Sequence, residues 1–128
     1  MNYGYSKGIN AYKNNSVTHA SKEQLLLMLL DGAVKFSKRA RLYMEEKNIQ
    51  ETHNNIVKTQ NIFYELMGTL DVDAAGQWGQ ALFDIYNFIV GRLGEANIKK
   101  DTKIMDEVIP LIEDVKNTWD EAYKLSKR

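Results

Sequence analysis

Ala20-Ser-Lys-Glu-Gln-Leu-Leu-Leu-Met-Leu-Leu-Asp-Gly-Ala-Val-Lys-Phe36 is the stretch that decides the fold of this chain. Ser21 and Gln24 have the spacing of a capping box, in which hydroxyl and carboxamide each satisfy the other residue's free backbone amide. Behind that cap, Leu25 to Leu30 form an unbroken run of large apolar side chains. A helix that buries one face needs apolar residues only at every third or fourth position, so this run puts hydrocarbon nearly all round the helix. It needs cover beyond an ordinary core, from a thick bundle or from a partner chain.

Working outward, the spacing predicts a first helix from Ser21 to about Lys47. Its inner stripe is Leu26, Leu29, Leu30, Ala33, Ser37, Ala40 and Met44, with Leu27, Met28, Val34 and Leu42 off that face. A second helix, Ile49 to Leu70, carries Ile49, Thr52, Ile56, Thr59, Phe63, Leu66 and Leu70 as a heptad seam. A third starts near Asp73, shows Ala75, Trp78, Leu82, Ile85, Ile89, Leu93 and Ala96 on one side, and ends near Asn97. A fourth follows Asp101 with Ile104, Val108, Leu111, Val115, Thr118 and Ala122 inward. Rotated from these by about 100°, one residue's turn, lie Met105, Ile109, Ile112, the stem of Lys116, Trp119 and Tyr123. Pro110 removes one backbone donor, which predicts a bend or a helix start near it.

Short loops make sequential helices antiparallel. The expected fold is all-α, an antiparallel up-and-down four-helix bundle over 20–128. Residues 1–19, with no sustained period, read as a flexible N-terminal arm in which Ile9 and Tyr12 share one helix face if a turn forms.

Composition excludes several classes of function. The 128 residues carry 17 basic and 17 acidic side chains, one proline and no cysteine. Formal neutrality gives no field for nucleic acid or anionic membrane. Without cysteine there is no disulfide framework, thiol nucleophile or thiolate metal site. The first residues lack a signal-peptide stretch and no run spans a membrane, so a cytoplasmic protein without membrane insertion is expected. Neither His19 nor His53 completes the Glu-x-x-His spacing of a di-iron bundle. His53 with Lys58 suits a phosphotransfer site badly, being out of helical phase. Gly76 and Gly79 flank Trp78 with no preceding strand and no Lys-Ser/Thr ending, so they serve close packing rather than phosphate binding. Lys35, Lys38, Arg39 and Arg41 form a basic cluster without interleaved aromatics, a solvated face. No nucleophile stands with a base. No enzyme activity, cofactor or metal is expected.

What stands out is apolar surface beyond the inner stripes: Leu27, Met28, Val34, Val57, Ile62, Tyr64, Phe83, Phe88, Val90 and the second stripe of the fourth helix. Wide-angle burial in a fat bundle is the plain explanation. Exposed together, these side chains exceed the apolar patch a monomer tolerates and predict a groove for helical or extended guests. Val57, Tyr64, Phe83, Val90, Met105, Ile109, Ile112 and Tyr123 are the candidate lining. Thioethers such as Met28 and Met105 repack around varied side chains. The alternative is a self-associating adaptor, with the surplus stripe as a homodimer seam.

Ala11-Tyr12, Ala20-Ser21 before Leu25, Met28-Leu29-Leu30-Asp31-Gly32-Ala33, Leu70-Asp71, Arg92-Leu93 with Glu95-Ala96-Asn97, Lys100-Asp101 and Thr118-Trp119 form a set spread over nearly all the chain. By that set the chain resembles the FliS family of flagellin-export chaperones. Leu30 stands where that family commonly has Tyr, and Lys22 where Pro often follows the cap. The resemblance implies a four-helix bundle whose partner is the disordered C-terminal region of flagellin, kept unpolymerised in the cytosol. It also implies delivery to a flagellar export-gate protein of the type III system, with Ile9 and Tyr12 in gate docking and groove shielding.

Overall fold

The computed structural model describes residues 21–127. The expected arm, with Ile9 and Tyr12, lies outside the described residues. Five helices follow in order: α1 (Lys22–Glu45), α2 (Ile49–Thr69), α3 (Val72–Ala75), α4 (Gln77–Lys99) and α5 (Thr102–Ser126). No strand occurs among the described residues.

Each start has a chemical cause. Ser21 Oγ accepts the Gln24 amide at 3.2 Å and Gln24 Oε1 accepts the Ser21 amide at 2.9 Å, the reciprocal cap read from the sequence. Asn48 caps α2 through the Glu51 amide, and Asp101 caps α5 through that of Lys103. The α1–α2 and α4–α5 turns are closed by Lys47 and Lys100, both at positive φ.

The long helices form an antiparallel ring in which each touches its two neighbours: α1 beside α2 and α5, and α4 beside α2 and α5. Cross-helix contacts fix the directions. On α2 and α4, His53 meets Asn97 while Gln60 reaches the Val90 carbonyl. On α1 and α5, Asp31 faces Lys116, Lys38 faces Glu113 and Arg41 faces Asp106. Numbers rise along one helix as they fall along its neighbour. Leu30, Ala33, Ile56, Phe63, Ile89, Leu93, Met105, Val108 and Ile112 fill the centre. Ser37, Thr52 and Thr59 are buried with them, each hydroxyl donating to a backbone carbonyl three or four residues earlier, for Thr52 that of the capping Asn48. Such local bonds remove the cost of an unmet buried hydroxyl.

The structure corrects the expected third helix. Asp71, not Asp73, caps a separate single turn, α3, by accepting the Ala74 amide. Gly76, at φ +63°, then breaks the chain into α4. A Cβ on Gly79 would stand 2.6 Å from the Val72 carbonyl oxygen, so only glycine allows this approach. The contact fixes the phase of α4. Gly79, Tyr86, Ile89, Val90, Leu93 and Ala96 face inward, while Trp78 and Ile85, expected in the core, face out. Tyr86, which the sequence reading left out, is 1% exposed. Its ring lies 5.7 Å from that of Phe63, and its hydroxyl accepts a hydrogen bond from Trp119 Nε1 at 3.0 Å. Burial raises the Tyr86 pKa; the indole donor opposes that shift.

Elsewhere, Ile49, Thr118 and Ala122 are exposed rather than inward. Helix α5 runs without interruption through Pro110, whose position is exposed.

Candidate functional site

Three surfaces are candidates for binding. The first is the α2–α4 seam. Gln60 donates to the Val90 carbonyl at 3.2 Å, so the residues a turn to either side of Gln60, Val57 and Tyr64, lie along α4. Phe83 and Val90 are seven apart on α4 and share the face toward α2. Four of the expected lining residues therefore converge here. Val57 and Phe83 are half-buried, Val90 is buried and Tyr64 is 54% exposed.

The other expected residues separate from them. Met105, Ile109 and Ile112 are buried in the core of the single chain, which corrects the expectation that they line an open groove. On α5 the inner arc runs from Ile104 to Ile112 and Val115, wide enough to take the first half of both stripes of the fourth helix. Tyr123 is half-buried near the end of α5, with the Lys127 ammonium 5.2 Å from its ring centre.

The second surface is a crevice of about 460 Å³ at the start of α1, walled by Leu25, Leu26, Leu29, Leu66 and Trp119. The run that opened the sequence reading ends here. Leu29 and Leu30 are core, while Leu25 to Met28 remain half-buried around the crevice and the outer surface.

Of the third surface, only Phe88 stood among the surplus side chains expected from the sequence. Trp78 (79% exposed), Ile85 (44%) and Phe88 (54%) form a row on α4. Positions 78, 85 and 88 are spaced seven and three, which puts them on one side of the helix, next to α5. An ion pair between Arg92 and Glu107 closes one end of the row, and the same guanidinium binds Glu95. The phase of Gly79 was the available signal: once that glycine is taken as inward, Trp78 must turn out.

The displaced carboxyl groups are Glu95, held low by Lys99 and then Arg92, and Asp106, held low by Arg41. All sit in exposed ion pairs, which is a structural pattern. Among the described residues no three His, Cys, Asp or Glu side chains gather as a metal site, and no helix is long and apolar enough to cross a membrane.

The comparisons agree with this architecture. The family model described as flagellar protein FliS matches residues 5–126. A flagellar secretion chaperone FliS of Bacillus subtilis is 32% identical over 120 residues, covering 92% of this chain and 87% of that protein. Its Escherichia coli counterpart is 32% identical over 122 residues, covering 91% and 90%. The flagellar secretion chaperone FliSB of Pseudomonas aeruginosa is 34% identical over 104 residues, covering 81% and 82%. A solved structure described as a flagellar chaperone from bacteria superposes with a TM-score of 0.74 at 15% identity, covering 93% of this chain and 97% of that one, which speaks for the fold. A helical ring, matched by family model and relatives over most of its length, places this chain in the FliS family of flagellar secretion chaperones.

Proposed function

We propose that this protein binds the disordered C-terminal region of flagellin in apolar furrows between its helices. In that state flagellin cannot polymerise, and the complex is handed to the type III export gate of the flagellum. The observation that carries the reading is the aromatic and aliphatic surface left open by a bundle whose core is otherwise filled: Tyr64, Trp78, Ile85 and Phe88. A disordered client supplies the missing cover by folding against these side chains, and the burial offsets its loss of conformational entropy. On this reading Val57, Tyr64 and Phe83 form one client furrow over the buried Val90, Tyr123 contributes at the end of α5, and Ile9 and Tyr12 serve gate docking and groove shielding. The reading needs no catalyst or cofactor, and it places the protein in the cytoplasm.

Co-expression with full-length flagellin and with flagellin lacking its C-terminal region tests it. Retention of the full-length protein alone is the expected result. Equal retention of both, or of neither, refutes the reading. Sedimentation of the chaperone alone checks the homodimer: a client-binding surface leaves a monomer at concentrations where a seam would pair two copies.

A further inference from the structure

We infer that the face between α4 and α5 is a distinct docking site for a cationic amphipathic helix of a protein partner. The inference rests on the reading that open apolar rows receive a protein client. Its subject is the chemistry of the helix that this particular row accepts.

The site is built from both helices. Because Arg92 meets Glu107 and the helices run antiparallel, each turn back along α4 faces a turn forward along α5. Phe88 then lies across from Leu111, Ile85 from Asp114, and Trp78 from Glu121 and Ala122. From Arg92 to Trp78 is fourteen residues, about 21 Å of helix, which matches a guest of roughly four turns. Leu111 is half-buried, and Thr118, Ala122 and Leu125 continue its face as exposed small or apolar positions.

Charge decides the occupant. Glu107, Asp114 and Glu121 stand seven apart on α5 and edge one side of the row. Asp84 stands beyond Phe88 on the other side, accepting from Gln80 at 2.8 Å. Glu107 is matched by Arg92, whereas none of the ion pairs found among the described residues involves Asp84, Asp114 or Glu121. Arg92, the cation at one end of the row, is already shared by two carboxylates, and Lys124 lies a turn past Glu121 at the other end. Lys103 lies a turn beyond Glu107, past the end of the apolar row. An apolar stripe between acidic edges attracts a helix whose own stripe is flanked by Lys or Arg. It repels phosphate backbones and anionic lipid, and a second copy of the same face would set acid against acid.

Two stapled four-turn peptides test this, one with a leucine stripe flanked by lysines and one with the same stripe flanked by glutamates. Calorimetry on the full chain should show the lysine peptide binding at least about tenfold tighter at low salt, with the gap closing at high salt. The paired change Asp114→Lys and Glu121→Lys should invert the preference. Trp78→Ser with Phe88→Ser should weaken both peptides, while Tyr64→Ser should not. These three positions are exposed, so the melting temperature serves as the control for folding. Equal affinity of the two peptides, a preference untouched by the charge reversal, or sensitivity at Tyr64 instead of Trp78 would overturn the proposal. A dimer lost on Trp78→Ser would overturn it too, by giving the face to self-association. Flagellin retention is scored separately on the charge-reversed protein. If flagellin binds and ignores the reversal, this site is refuted and the chaperone reading stands. If the peptides behave as expected and flagellin is not retained, the site stands and the client assignment fails.

Discussion

Tyr86→Phe isolates one hydroxyl in the centre of the bundle. Its ring is almost wholly buried, so phenylalanine keeps the contact with Phe63 and leaves no cavity of side-chain size. What is lost is the hydrogen bond from Trp119 Nε1, 3.0 Å away. An ordinary bond of this kind contributes about 1 kcal/mol net, and an orphaned buried donor costs about 1–3 kcal/mol. Trp119 is half-buried, so water reaches part of its edge and the expected loss is about 1–2 kcal/mol. For a chain of this length that lowers the melting temperature by about 4–8 °C.

The same substitution carries a pH signature. Burial raises the Tyr86 pKa above its unfolded value of about 10. The folded state therefore favours the neutral phenol, and that contribution is complete below pH 10. As pH rises beyond it the unfolded phenol ionises first, so the native protein loses stability that the phenylalanine variant never had. The gap between the two proteins, read from urea unfolding, should be constant up to about pH 9 and narrow above about pH 10. The two proteins differ by this one hydroxyl, so every other group is common to both and cancels in the gap. A gap that stays flat through alkaline pH, or widens, would refute the placement of this hydroxyl in a buried site.

Ile112→Ala, at a fully buried position, should cost about 2–5 kcal/mol in urea unfolding; a loss below 1 kcal/mol would return the second stripe of α5 to the surface. Gly79→Ala forces a methyl against the Val72 backbone and should cost about 1–3 kcal/mol, with a loosened α3 detected by hydrogen exchange; a neutral result would mean that α3 is not held there. Trp78→Ser should change stability by no more than about 0.5 kcal/mol while weakening flagellin binding, and a large drop in melting temperature would place the indole in the core. Arg41 holds the Asp106 carboxyl below the ordinary range, so this pair contributes at neutral pH and its contribution is lost as pH falls through the lowered Asp106 value. Arg41→Gln should therefore flatten the acid limb of the stability curve, and an unchanged limb would show the pair to be inert.

Much of this architecture was legible because periodicity and caps are local signals. The Ser21 cap, the inner stripe of α1 and the seam from Thr52 to Leu66 all follow from side-chain spacing within one helix. What escaped depends on contacts between elements. Two apolar phases compete at the start of α4, one through Trp78 and Ile85, the other through Gly79 and Tyr86. They share Leu82 and Ile89, and hydrophobicity alone favours the larger side chains of the first. The glycine wins because α3 approaches α4 more closely than any side chain allows, which no single-helix pattern reports. The same limit explains Met105, Ile109 and Ile112. A second stripe looks like surplus until two neighbouring helices are placed against α5, and then Met105, Ile109 and Ile112 are enclosed while Trp119 and Tyr123 stay half-buried.

That enclosure sharpens the relation between stability and binding. The hydrocarbon that folds the chain and the hydrocarbon that remains open lie on adjoining arcs of the same helix, α4, where Tyr86, Ile89 and Leu93 face in and Trp78, Ile85 and Phe88 face out. Fully burying one large side chain contributes about 1.5–3 kcal/mol, and ordering a disordered client consumes about 2–5 kcal/mol or more. One anchor barely offsets the ordering, so net affinity requires several engaged together. A row of three meets that requirement without drawing on the core. Because these side chains contribute little to the free fold, the surface can be rebuilt for a client without unfolding its carrier. Ile112 and Tyr86 have no such freedom.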